Sequence, residues 1–290
     1  MISDPLSGHI FAVDKPLGWT SFHVVKKLRG ALLTRLRQAG VKKLKVGHAG
    51  TLDPLATGVM LICCGKYTSR IDELQAGRKT YTATIRLGAT TPSFDMETPE
   101  DAWFPTNHIT RPLVEDVLKR FVGEISQVPP AYSAVKVDGD RAYAKARKGE
   151  AVDIKPKILV IDSLELLHYA ETEITVRVIC SKGTYIRALA RDIGAALNSG
   201  AYLTALRRDR VGDYPLERCQ SIDDAVREIL TQPLKVSLGQ DIPPIDLPPA
   251  DFESFQSRGR HEADILPYHM RPHTDSVTPP PTNCATNPLA

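Results

Sequence analysis

The 290-residue chain has no apolar run near the ~20 residues that a membrane span needs, and Met1–Val13 shows no basic segment leading into an apolar one. A membrane contact and a secretory signal are therefore not expected, and the protein is read as cytoplasmic. Its five cysteines (Cys63, Cys64, Cys180, Cys219, Cys284) are odd in number and form no C-x-x-C pair, which speaks against a disulfide framework and a structural zinc site. A phosphate-binding loop is missing too: Gly65-Lys66 is followed by Tyr67, and Met60 stands where the leading glycine belongs. His261-Glu262 starts a zinc-protease pattern, but position 265 is Ile, and His269 and His273 have no cysteine partners. No metal and no nucleotide cofactor is expected. With 42% hydrophobic and 24% charged residues, the chain has enough apolar material for a real core.

Negative charge is absent from one long stretch. Residues 15–52 hold no Asp or Glu but nine cations: Lys15, Lys26, Lys27, Arg29, Arg35, Arg37, Lys42, Lys43 and Lys45. Val24, Val25, Leu28, Ala31, Leu32 and Leu36 recur there at helical spacing, so part of this charge is the solvated face of an amphipathic helix. An uncompensated stretch of this length also attracts a polyanion. The C-terminal end is the opposite case. Residues 241–290 carry seven acidic groups against three arginines and ten of the 22 prolines, a net of −4 in a chain of net +3, so the body is +7. Without any sustained period, this end reads as an acidic, proline-rich, disordered tail from about residue 236 that contributes no core.

Between these ends the pattern alternates strands and helices. Strands are expected at His9–Asp14, Val59–Cys63, Tyr81–Leu87, Ile158–Leu167 and Ile174–Cys180. Helices are expected from Thr20, at Leu113–Phe121 until Val128-Pro129-Pro130 breaks the chain, from about Thr184, and at Ser221–Leu230. Several connections are short enough for antiparallel pairing. The fold class is therefore α+β, with a mixed, largely antiparallel central sheet flanked by helices.

The segment Val46–Gly58 is built unlike a plain connector. Its three glycines open backbone shapes closed to other residues, and Asp53 is held extended by Pro54 between the apolar Leu52 and Leu55. Read alone, Asp53 is as easily the acceptor of an Asx turn. Other segments decide the matter. Asp14-Lys15-Pro16-Leu17-Gly18-Trp19-Thr20-Ser21, Lys79-Thr80-Tyr81, Pro130-Ala131-Tyr132-Ser133-Ala134-Val135-Lys136, Ser181-Lys182-Gly183-Thr184-Tyr185-Ile186-Arg187 and Leu206-Arg207-Arg208 follow in order. Together with the loop they resemble the motifs of the bacterial TruB family of tRNA pseudouridine synthases, over roughly residues 9–230.

The resemblance implies a pseudouridine synthase fold in residues 1–235 and isomerisation of uridine 55 in the T arm of tRNA. It implies Asp53 as nucleophile, Tyr81 as the aromatic that stacks on the target uracil, and Arg187 as the cation paired with the aspartate. His48 would support the flipped nucleotide, Tyr185, Ile186 and Leu206 would pack around the base, and Lys15 would support the loop. Lys42, Lys43 and Lys45 are placed on the RNA track. The expected partner is tRNA, with a monomeric enzyme and no guide RNA. The family's usual C-terminal RNA-binding domain is not expected here. Without the resemblance, Tyr81 is an ordinary cross-strand aromatic and Arg187 a surface partner of Asp192 or Glu150. A noncatalytic RNA-binding protein on the same scaffold would not require a carboxylate set against a polyanion.

Overall fold

The computed structural model describes residues 4–133, 135–137, 139–148, 150, 152–236 and 240–245. Ten strands form the main sheet: β1 (His9–Lys15), β2 (Val46–His48), β3 (Ala56–Cys64), β4 (Lys79–Leu87), β5 (Gly123–Gln127), β6 (Lys157–Ala170), β7 (Glu173–Cys180), β8 (Ala201–Val211), β9 (Tyr214–Pro215) and β10 (Gln220–Ser221). Their order across the sheet is β10-β1-β3-β8-β4-β7-β6-β5, with β2 on β3 and β9 on β8. The pairings β1/β10 and β3/β8 are parallel; the others in this sheet are antiparallel. The α+β class with a mixed, largely antiparallel sheet is what the structure shows.

Four helices of nine or more residues flank the sheet: α1 (Ser21–Leu36), α2 (Arg111–Lys119), α3 (Ile186–Ala196) and α4 (Ile222–Thr231). α1 begins where Thr20, in extended backbone, accepts the His23 amide through Oγ1 at 3.1 Å. That cap satisfies one of the first orphan N–H groups. One core gathers β4, β7, α2 and α3 around residues such as Ile85, Val176, Leu189 and Val117. A second packs α1 and α4 against β1 and β3 through Leu28, Leu32, Met60, Val226 and Ile229. Each fully buried aliphatic side chain there contributes about 1.5–3 kcal/mol.

The expected elements recur with shifted ends, and one central strand escaped them. β8 pairs with both β3 and β4, yet it reads Ala-Tyr-Leu-Thr-Ala-Leu-Arg-Arg-Asp-Arg-Val. Register shifts at Leu203/Ala205 and Arg208/Arg210 break its alternation, and Arg208 is buried on a position that period-2 reasoning assigns to an apolar residue. The glycine-rich loop is also shorter than expected, because Val46–His48 pairs with Ile62–Cys64 and Ala56 already belongs to β3.

The end of the body needs correction. Leu234–Val236 pairs with Gln240–Ile242, and Leu234, Val236 and Ile242 are buried in the second core. The fully buried Arg35 of α1 fastens this segment. Its Nη1 donates to the carbonyls of Ile229 (2.7 Å), Leu230 (2.7 Å) and Gln232 (3.0 Å), and its Nη2 to those of Ile242 (3.0 Å) and Pro243 (2.7 Å). The boundary expected at residue 235 thus falls inside a packed hairpin, and Ile242 and Ile245 contribute to the core. The rest of the expected tail, 246–290, lies outside the described residues, as do Cys284, His261, Glu262, His269 and His273.

A chain ending after Ile245 should be more stable than one ending after Val236 by about 2–4 kcal/mol, since the longer form buries Ile242 and keeps two acceptors on Arg35. Arg35→Met should cost at least about 3 kcal/mol by orphaning several buried carbonyls. Urea midpoints at constant m-value check both, and equal midpoints for the two chain ends would refute the fastening.

Candidate active site

Asp53 sits on the loop between β2 and β3, and almost every backbone group around it is tied down. Ser21 Oγ, at the start of α1, accepts the Leu52 amide at 2.8 Å and donates to the Leu52 carbonyl at 3.0 Å. Gly18 N donates to the Pro54 carbonyl at 2.8 Å, and Ala56 N to the Asp53 carbonyl at 3.0 Å. Lys15 Nζ donates to the carbonyls of Pro16, Trp19 and Pro54 at 2.9, 2.7 and 3.4 Å. From the neighbouring strand Arg208 donates to Val59, Thr51 and Gly50 carbonyls at 2.7, 3.4 and 3.3 Å. Gly58, at φ +103°, lets the strands close: a Cβ there would lie 2.2 Å from the Arg208 carbonyl oxygen.

The carboxylate itself meets Arg187 in the first turn of α3. Arg187 Nε lies 2.9 Å from Asp53 Oδ2, with the guanidinium side chain 5% and the carboxylate 38% exposed. One partner is sealed in protein and the other faces the cleft. Arg187 also stands 3.5 Å from Asp95 Oδ2 and donates to the Ser93 carbonyl at 3.0 Å and the Tyr132 carbonyl at 2.9 Å. Its partners are thus not Asp192, which pairs with Arg191, nor Glu150. Burial works against the Arg187 charge, but Asp53 and Asp95 more than offset it and hold its pKa above the ordinary value. Burial pushes the Asp95 carboxyl up, against the downward pull of Arg187.

Tyr81 lies on β4 directly across from Arg208 of β8 and Val178 of β7. Burial pushes its phenol up, and the Arg208 guanidinium only partly offsets this, so the hydroxyl stays protonated at neutral pH. Tyr81, Tyr185, Ile186, Arg187 and Leu206 line, with Asp53, a cleft of about 770 Å³. That volume is in the range of small-ligand sites and accommodates a nucleotide lifted out of its stack. Tyr185 is fixed at the head of α3 by Gln127, whose side chain accepts the Tyr185 amide at 2.9 Å and donates to its carbonyl at 3.2 Å.

The remaining expected residues fall elsewhere. His48 ends β2 beside the loop, half-buried, with its pKa lowered by burial and by nearby Arg208. Lys42, Lys43 and Lys45 are exposed in the segment leading to β2. Lys15 is fully buried beneath the loop, where burial lowers its pKa to about 7 although Asp53 opposes the shift. Spending its protons on three carbonyls, it braces the loop and has no surface to offer RNA.

Asp95, Arg208 and Gln127 have no role that the sequence pattern assigns. Thr91-Pro92-Ser93 signals a turn, but nothing local shows that the turn folds back onto Arg187. Phe94 in that turn has a φ of +61°, a region costly for a residue with a side chain, and its carbonyl accepts the Leu203 amide at 3.0 Å.

Comparison with known proteins matches the chain to a family. The model of the TruB family pseudouridylate synthase (N terminal domain) matches residues 37–186. The chain belongs to the TruB family of pseudouridylate synthases. It is 63% identical over 216 residues to tRNA pseudouridine synthase B of Phocaeicola vulgatus, covering 74% of this chain and 91% of that protein. To the same-named protein of Flavobacterium johnsoniae it is 51% identical over 217 residues, covering 75% and 94%. Among solved structures it resembles a chain of the archaeal box H/ACA sRNP Nop10–Cbf5 complex, with a TM-score of 0.54 and 25% identity. That match covers 77% of this chain and spans 54% of the other. In this TruB-family chain, the family-model match ends at Ile186, so β8 and its Arg208 brace lie beyond it.

Arg208→Lys should slow single turnover at saturating substrate by about 10- to 100-fold, because a lysine cannot reach Val59, Thr51 and Gly50 together and the loop carrying Asp53 loosens. A rapid-quench time course, read with the urea midpoint of the variant, checks this. A wild-type rate would show that the brace does not position the carboxylate.

Proposed function

We propose that this enzyme converts uridine 55 in the T arm of tRNA to pseudouridine, as a cytoplasmic monomer that needs neither a guide RNA nor a cofactor. The observation that carries the reading is the Asp53–Arg187 pair at the wall of a nucleotide-sized cleft beneath Tyr81. The names and high identity of the bacterial relatives support tRNA as the substrate.

The chemistry asks for what this site offers. Isomerisation breaks the N1–C1′ bond, turns the uracil, joins C5 to C1′ and moves the C5 proton to solvent while N1 gains one. None of this is possible in a stacked base, so the uridine must be flipped out at a cost of a few kcal/mol. Stacking on Tyr81 and apolar cover from Leu206 and Ile186 offset that cost. Asp53 then attacks either C1′ of the ribose or C6 of the uracil, and both routes require its carboxylate held at a fixed place. Arg187 supplies the position.

The deciding experiment incubates the pure protein with an unmodified tRNA transcript and maps pseudouridine. Product at uridine 55 without added guide RNA is expected; product elsewhere, or none, overturns the reading. Asp53→Asn should keep the fold and tRNA binding and abolish product, whereas comparable turnover would remove Asp53 from the chemistry. Tyr81→Phe should retain stacking and lose only what the hydroxyl contributes, while Tyr81→Leu loses both; a wild-type single-turnover rate for Tyr81→Phe would deny the hydroxyl a role, and equal rates for the two variants would deny stacking one.

Replacing Lys42, Lys43 and Lys45 together with Gln should weaken tRNA binding and flatten its salt dependence. For each phosphate no longer neutralised, the log–log slope should fall by up to about 0.7–0.9. The single-turnover rate at saturation should stay the same. Binding isotherms across a salt series give the answer, and an unchanged slope would place the RNA track elsewhere.

A further inference from the structure

Two large apolar side chains beside the catalytic loop stand in solvent: Leu17 is 55% and Phe22 63% exposed. Each is the chain neighbour of a residue that grips the loop, Gly18 through the Pro54 carbonyl and Ser21 through Leu52. Phe22 also opens an exposed stripe on α1 that Lys26 and Arg29 continue at i+4 and i+7. No carboxylate lies in the sequence from 15 to 52 to balance those cations. The result is a pair of exposed apolar side chains in a segment whose own charges are all positive.

That combination selects its occupant. A second copy of this chain docked face to face would bring the same positive surface against itself, a like-charge pairing that costs affinity. The core of a protein–protein interface is also depleted of charged residues, unlike this stripe. Single-stranded or looped RNA meets both halves, with phosphates for the cations and base or ribose faces for the apolar groups.

We propose that Leu17 and Phe22 form a stacking platform for nucleotides of the tRNA substrate that lie outside the active-site cleft, with Lys26 and Arg29 holding the adjoining phosphates. This rests on tRNA being the substrate. The platform adds affinity by holding the RNA against α1, beside the loop that carries Asp53.

The test measures tRNA affinity across a salt series, and single turnover at saturation, for the full-length protein and its variants. Phe22→Ala and the double variant Leu17→Ala/Phe22→Ala should weaken binding by roughly 5- to 100-fold with an unchanged salt slope and saturated rate, and Phe22→Trp should restore affinity. Lys26→Gln/Arg29→Gln should lower the slope by about 1–2. Trp103→Ala, which removes a 71% exposed aromatic on a different part of the molecule, should bind like wild type. Wild-type affinity in the double variant overturns the platform. So does sedimentation showing a wild-type dimer that the double variant converts to monomer, because the two side chains would then form a self-association surface. A wild-type protein that binds tRNA yet forms no pseudouridine refutes the isomerase reading alone, while the binding series still decides the platform.

Discussion

A carboxylate offered to a polyanion, the role proposed for Asp53, faces repulsion from every phosphate it approaches, and the cations around its loop bear on that single electrostatic problem. Three buried cations, Lys15, Arg187 and Arg208, lie around the loop. Only Arg187 pairs with carboxylates; Lys15 and Arg208 terminate on backbone carbonyls. These hydrogen bonds, rather than further ion pairs, fix the loop. A wholly surface-bound set of cations would be screened by salt, whereas these act in a low-dielectric setting.

The sheet turns this constraint into geometry. Because β3 and β8 run parallel and β8 and β4 antiparallel, the register sets Gly58, Arg208 and Tyr81 side by side on three adjacent strands. The end of the catalytic loop, the brace beneath it and the aromatic beside it are thus placed by backbone pairing, which tolerates no slip without turning every side chain to the other face. The first turn of α3 then brings Arg187 in from the side. Catalytic placement costs no reorganisation at the moment of reaction when it is built into strands in this way.

How much of this was readable depended on whether a residue's role was local. The start of the basic helix near Thr20 and the alternation of β4 are local properties, and they are where the sequence put them. The Asp53 loop was conspicuous because glycines, Asp-Pro and flanking leucines are unusual together. Arg208 was hidden because a buried arginine in a charged, bulged strand mimics a surface segment. Asp95 was hidden because its partner lies far along the chain. The hairpin after α4 was read as tail because prolines and carboxylates dominate the composition beyond it, yet a few apolar residues and one arginine on α1 are enough to dock it.

The Arg35 fastening also sets the geography of the molecule. α1 is a rigid rod, and the fourteen residues from Phe22 to Arg35 span about 20 Å of it. The exposed Leu17 and Phe22 and the Asp53 loop sit at one end of that rod, and Ile245, held to the Leu230 carbonyl, at the other. A domain, tag or surface joined directly to Ile245 is therefore anchored at a distance from the Asp53 loop. It can be lengthened or exchanged without crowding the nucleotide cleft, which makes this end the natural place to append a handle for immobilising the enzyme.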